Sequence, residues 1–182
     1  MQTKVVGFCS VSALVGFGAW FYNEPSFEPA IGFIVSIGAL AANYWPKKPE
    51  KYASNRLKGR NTFNYSNNNG RFVIGSNELL FETAWSKASD ESIHVYNDPA
   101  SIKGVALVKG VPAINLISNA KSYDFSSRSR TPQEGDIVVF ENSYGNFAAV
   151  KIIDIKDNTR SDSIDELTFE YVINPDGHTD FR

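Results

Sequence analysis

"EGDIVVFENSYGNFAAVKIIDI", residues 134–155, holds two runs rich in Val, Ile and Phe, separated by Ser143-Tyr144-Gly145. A Gly-Asp pair opens the first run, and a glycine-bearing gap divides it from the second. Short apolar runs bounded in this way read as strands, and the gap between them as a hairpin turn. Downstream, "LTFEYVI" (167–173) alternates, so Leu167, Phe169, Tyr171 and Ile173 share one face before "NPDG" ends the run. Upstream, "NNNG" (67–70) ends in Asn69-Gly70, a strong hairpin signal. "ELLFETAW" (78–85) puts Leu79, Phe81, Thr83 and Trp85 on one face, and "IHVYNDP" and "GVALVKG" add two more short runs. Only "PAINLISNAKSY" (112–123) reads as a candidate short helix. The pattern predicts an all-β domain over 62–182, with about seven or eight strands in a sandwich or a small barrel of SH3-like, OB-like or lipocalin-like form.

The first third of the chain differs. Val5 to Tyr22 and Pro29 to Trp45 carry no charge, and "NEPSFEP" lies between them. Each run has about the minimum length for a helix that crosses the hydrocarbon of a bilayer. Trp20, Phe21, Tyr22, Tyr44 and Trp45 sit at the ends of the runs, as aromatics do at headgroup level. A cleaved signal peptide fits less well, because no small-x-small site precedes the loop. A buried hairpin in a water-soluble fold would need a polar face that neither run has. The sequence therefore predicts a transmembrane helical hairpin over 1–46 (spans 5–22 and 29–45), a basic linker over 47–61 and the β-domain after it. Lys4, Lys47, Lys48 and Lys51 flank the hairpin and the intervening loop carries only Glu24 and Glu28, so both termini are expected to be cytoplasmic at a bacterial inner membrane. Small residues four apart (Ser12 and Gly16, Gly32 and Ser36, Gly38 and Ala42) would let such helices approach closely, within one hairpin or in a homo-oligomer.

Charge is unevenly spread. Residues 1–60 hold seven Lys or Arg against three Glu, and residues 61–182 hold eleven against seventeen Asp or Glu. An acidic domain repels nucleic-acid phosphates in bulk, so no nucleic-acid partner is expected. The basic linker, "KKPEKYASNRLKGR" (47–60), reads as a topology signal or as a contact with anionic lipid. The lone cysteine, Cys9, cannot form an intramolecular disulfide.

Chemistry is sparsely signalled. There is no Walker or dinucleotide glycine loop, and no nucleophile in a recognisable turn, so enzymatic activity is not expected. Two histidines and a cysteine in an apolar run do not make a zinc site, and "DGHTD" (176–180) reads as an exposed tail, so neither metal nor cofactor is expected. The most suggestive polar cluster is "FSSRSRTPQEGD" (125–136), where Arg128 and Arg130 alternate with hydroxyls. Two guanidinium forks in that setting suit a phosphate or a carboxylate. Trp85, Lys87, His94 and Tyr96 in the neighbouring runs could stack a base and meet a phosphate.

"VVGFCSVSALVGFGAWFY" and "AIGFIVSIGALAANYW", followed by these strands, give a layout that resembles the two-transmembrane effectors of bacterial antiphage defence. It is similar to the β-barrel effectors of cyclic-oligonucleotide (CBASS) systems and to retron-associated two-transmembrane effectors. The resemblance implies an abortive-infection effector whose β-domain receives a signal, such as a cyclic oligonucleotide or a defence-system protein, and whose helices oligomerise and disrupt the membrane. The same layout also resembles membrane-anchored adaptors whose OB-like or SH3-like barrel binds a protein partner. No motif carries either resemblance to individual site residues.

Overall fold

The structure, a computed structural model, describes residues 12–13, 15–20, 22–23, 25, 28, 30–32, 34–37 and 52–182. The chain divides into two units, Met1–Lys48 and Pro49–Arg182.

In the second unit the alternating pattern of 167–173 becomes β10 (Glu166–Asn174), with Leu167, Phe169, Tyr171 and Ile173 all buried. It pairs antiparallel with β9 (Phe147–Lys156) and with β2 (Lys58–Phe63). The run 134–155 forms the hairpin of β8 (Ile137–Asn142) and β9, and β8 pairs on its far side with β6 (Ile102–Val108). The second sheet is thus ordered β2-β10-β9-β8-β6. At the hairpin tip Gly145 takes φ +81°, and the buried Asn142 side chain accepts from the amides of Tyr144 and Asn146.

The first sheet is ordered β1-β3-β4-β5-β7. Its strands are β1 (Ala53–Ser54), β3 (Arg71–Ile74), β4 (Phe81–Lys87), β5 (Ile93–Tyr96) and β7 (Ser129–Arg130). Between the sheets lies one core to which both contribute inward positions: Phe72, Ile74, Phe81, Trp85 and Val95 from the first, Phe63, Phe140, Val150 and Phe169 from the second. A second cluster covers part of the outer face of the second sheet. There Val108, Ile137, Val139, Phe147 and Ala149 pack under Ile114, Ile117, Ala120 and Phe181. The covering strap is two 3₁₀ turns, Ile114–Leu116 and Ala120–Ser122, rather than a helix, and the C-terminal tail is pinned to it by Phe181 N–H donating to Ile117 C=O at 2.9 Å.

The expected fold class needs correction. Among the described residues no helix is long and apolar enough to cross a membrane, and the chain is mostly β-sheet, with ten strands in two sheets. An uncharged run measures composition, whereas crossing about 30 Å takes about 20 residues of continuous helix. The described residues between 12 and 37 are helical apart from Pro25, which stands outside the helical residues between the two runs. The transmembrane hairpin, the multi-pass inner-membrane location with cytoplasmic termini, and the membrane-disrupting abortive-infection effector built on them are therefore withdrawn. Cys9, the outer ends of both runs (5–11 and 38–45) and Lys47, Lys48 and Lys51 lie outside the described residues.

Two smaller expectations also change. Strand pairing begins at Ala53, inside the stretch 47–61 assigned to a linker. Asn69-Gly70 makes a turn, with Asn68, Asn69 and Gly70 all at positive φ, but it links β2 to β3 and so passes from the second sheet to the first instead of closing a hairpin.

Candidate functional site

Alternation decides which of the expected ligand residues can act together. Ala84 pairs with Tyr96, and Trp85 with Val95. Tyr96 therefore lies on the outer face of the first sheet, while Trp85 turns inward, 2% exposed, with its indole N–H donating to Thr83 Oγ1 at 2.7 Å. The two rings cannot form one stacking platform.

Arg128 does meet Tyr96, with its guanidinium carbon 5.6 Å from the ring centroid. Both arms of its fork already donate to Asp98, Nε to Oδ1 at 2.7 Å and Nη2 to Oδ2 at 2.6 Å. These bonds hold the Asp98 carboxyl below its ordinary range. Arg130 in β7 stands opposite Val95, next to the Ser129 that pairs with Tyr96, and is matched to Asp124 at 2.9 Å. The Ser126 hydroxyl and amide, followed by Arg130, bring Asp124 down to about 2. His94 Nδ1 lies 2.9 Å from Thr131 Oγ1, and Ser86 Oγ lies 2.8 Å from Tyr96 Oη. Arg128 and Arg130 are thus each matched to an internal carboxylate, while the buried Arg130 Nε has no hydrogen-bond partner among the described residues.

Lys87, the last of the expected residues, belongs to another cluster. Its ammonium is 2.8 Å from Asp157 Oδ1 and from Asp165 Oδ1, and it donates to Asn158 Oδ1 at 2.8 Å. Ser66 and Tyr65 complete the shell of Asp165. Burial, then the neighbouring Asp165 charge, pushes the Tyr65 phenol up to about 12. Burial also pushes Asp157 upward, but hydrogen bonds from Lys87 and Thr159 outweigh it and bring it to about 2. Hydrogen bonds to Asp157 and then to Asp165 raise Lys87. Lys87 is on β4 and both carboxylates lie between β9 and β10, so the cluster clasps the first sheet to the second.

The clasp has a pH signature. A carboxylate depressed in the folded state adds stability above its unfolded pKa of about 4, and loses it as pH falls through the folded value. For Asp157 that window runs down to about 2. In Lys87→Met the burial effect loses its largest opponent and is met only by the Thr159 bonds at Asp157 and the Ser66 and Asn158 bonds at Asp165, so both carboxylates become costlier at neutral pH and cheaper once protonated. Urea midpoints measured from pH 7 to pH 3 are expected to show a clear deficit for Lys87→Met at pH 7 that narrows with acid. A deficit that is constant with pH would remove the clasp from the account.

The strap leaves the β10–β2 side of the outer face uncovered, and a cleft of about 390 Å³ opens there. β2 contributes Lys58 and Arg60, β10 contributes Glu170 and Val172, and the strap contributes Ile114 and Asn115. Register puts these side chains on one face: Lys58 stands opposite Val172, Arg60 opposite Glu170 and Thr62 opposite Thr168, the last two joined Oγ1 to Oγ1 at 2.9 Å. Gly59 faces the other way, where an added Cβ would come to 3.4 Å of the Tyr171 ring. The Tyr171 hydroxyl reaches Ser54 Oγ at 2.8 Å and donates to Arg56 C=O at 3.1 Å, anchoring the lead-in to β2.

Charge separates this cleft from the Arg128 face. Arg71, Lys103, Arg128, Arg130, Lys156 and Arg182 all sit in ion pairs. Lys58 and Arg60 are exposed and make neither ion pair nor side-chain hydrogen bond with the described residues. The sequence assigned both to a basic linker. The signal that distinguishes them is the alternation of "KGRNT", which places Lys58, Arg60 and Thr62 on one side of a strand.

What fold and cleft define is a class: a two-sheet β-domain with an uncovered, locally basic cleft at one edge strand. No protein-family model matches the chain, and no curated protein matches it.

Proposed function

We propose that residues 53–182 form a recognition module that binds an anionic partner in the cleft beside β2. The observation that carries this reading is the adjacent pair of exposed cations, Lys58 and Arg60, in no ion pair with the described residues, at a cavity of about 390 Å³. Two exposed bases against the single Glu170 carboxylate leave a local positive excess, and an incoming carboxylate or phosphate gains charge-assisted hydrogen bonds there. A second reading keeps a phosphate-bearing small molecule such as a cyclic oligonucleotide as the ligand. The cavity volume supports it, since small-molecule sites commonly span about 300–1,000 Å³.

Calorimetry on the full chain with three probes tests the proposal: hexaglutamate, inorganic pyrophosphate and a cyclic dinucleotide. At least one is expected to bind. Hydrogen bonds to charged groups contribute about 1.5–3 kcal/mol, so Lys58→Ala or Arg60→Ala should weaken that binding by roughly ten- to a hundredfold. Arg128→Ala should leave it unchanged. Failure of all three probes, or binding indifferent to both substitutions, would contradict the proposal.

A further inference from the structure

We infer that the partner of this cleft is an extended acidic peptide segment, which adds to the open edge of β2 as a sixth strand of the second sheet. The inference rests on the anionic-partner reading and specifies the partner. β2 ends the strand order of its sheet, and its ladder runs to β10 alone. Among the described residues, none of the backbone hydrogen bonds outside the strand ladders involves residues 58–63. In an antiparallel pair every second residue turns its N–H and C=O away from the partner strand, so β2 presents a row of unused donors and acceptors. A peptide that supplies a strand satisfies them, which a small anion cannot do.

The side chains beside this edge select the occupant. Lys58 and Arg60 are two apart on one face, a spacing of roughly 7 Å along a strand. An added strand repeats its own side chains at the same interval, so carboxylates at alternate positions meet both bases. Ile114 and Val172 line the floor of the same cleft and suit an apolar residue next to the acidic pair. A second copy of β2 is a poor occupant, because antiparallel self-pairing sets Lys58 and Arg60 against the same bases, and like charges opposite one another repel. A long polyanion is also disfavoured, since residues 61–182 carry eleven bases against seventeen acids and repel it beyond the cleft. A short acidic strand meets Lys58 and Arg60 and, of the acids, only the Glu170 of the cleft lining.

The test is binding of a nine-residue peptide alternating Glu with Val and Thr to the full chain, read by affinity and by amide hydrogen exchange. The peptide is expected to bind, to slow exchange of the outward amides in 58–63 at least tenfold at saturation, and to lose affinity at least tenfold in Lys58→Ala/Arg60→Ala. Two further peptides, N-methylated on alternate amides in the two opposite phases, should differ: one phase abolishes binding and the other preserves it. Binding with unchanged exchange in β2 and equal tolerance of both methylated peptides would overturn strand addition. So would binding of the cyclic dinucleotide without the peptide. In both cases the anionic-cleft reading stands, whereas failure of every anionic probe overturns both.

Discussion

Phe169→Ala is expected to lower the stability of the β-domain by about 3–5 kcal/mol, the usual cost of truncating a buried aromatic. Phe169 is fully buried at the centre of the intersheet core. Its ring centroid lies 5.3 Å from Phe72 and 6.4 Å from Trp85, both on the first sheet, and 6.1 Å from Phe63 and from Tyr171 on the second. Losing the ring removes contacts on four sides, and rings held by two separate sheets have little freedom to collapse into the gap. Urea unfolding followed by far-UV circular dichroism measures the change. A loss under about 1 kcal/mol would mean that the sheets do not pack through this cluster.

Gly70→Ala should come close to that cost by a different route. Gly70 has φ +69°, and a Cβ added there would lie 1.9 Å from the Trp85 carbonyl oxygen. Left-handed backbone costs a non-glycine residue about 1–2 kcal/mol, and forcing a backbone carbonyl aside adds about 1–3 kcal/mol. The sum is about 2–5 kcal/mol. Gly110 separates the two contributions, because its φ is +74° and an added Cβ meets nothing within 4 Å. Gly110→Ala should therefore lose only the backbone part. Equal losses at both positions would show that the β2–β3 turn does not press on β4.

Much of the strand pattern is readable without coordinates, because side-chain alternation is a local property. The hairpin in 134–155 and the buried face of 167–173 follow from it directly. Sheet membership does not. β3, β4 and β5 lie in the first sheet, β6 crosses to the second, β7 returns, and β8 to β10 are in the second again. Periodicity tells which side of a strand is buried but not which strand lies beside it, so Asn69-Gly70 looks like a hairpin when it is a passage between sheets.

Partnership between charges is equally hidden. Arg128 and Asp98 are thirty positions apart, and only the fold reveals that this guanidinium is already matched. Lys58 and Arg60 stand in a basic stretch after two uncharged runs, and composition alone assigns such a stretch to lipid. Their significance depends on a strand edge and on an uncovered cleft, both products of tertiary structure. Trp85 and Tyr96 look equivalent as aromatics in strands, yet one step in register sends them to opposite faces.

The central claim is that the cleft beside β2, and not the Arg128 face, receives an anionic partner. Backbone amide shifts of the isotopically labelled full chain, titrated with the alternating Glu peptide, test it most directly. The account predicts saturable shifts concentrated at Lys58 to Arg60, Ala113 to Asn115 and Glu170 to Val172. Shifts concentrated instead at Tyr96, Asp98, Arg128 and Arg130 would contradict it.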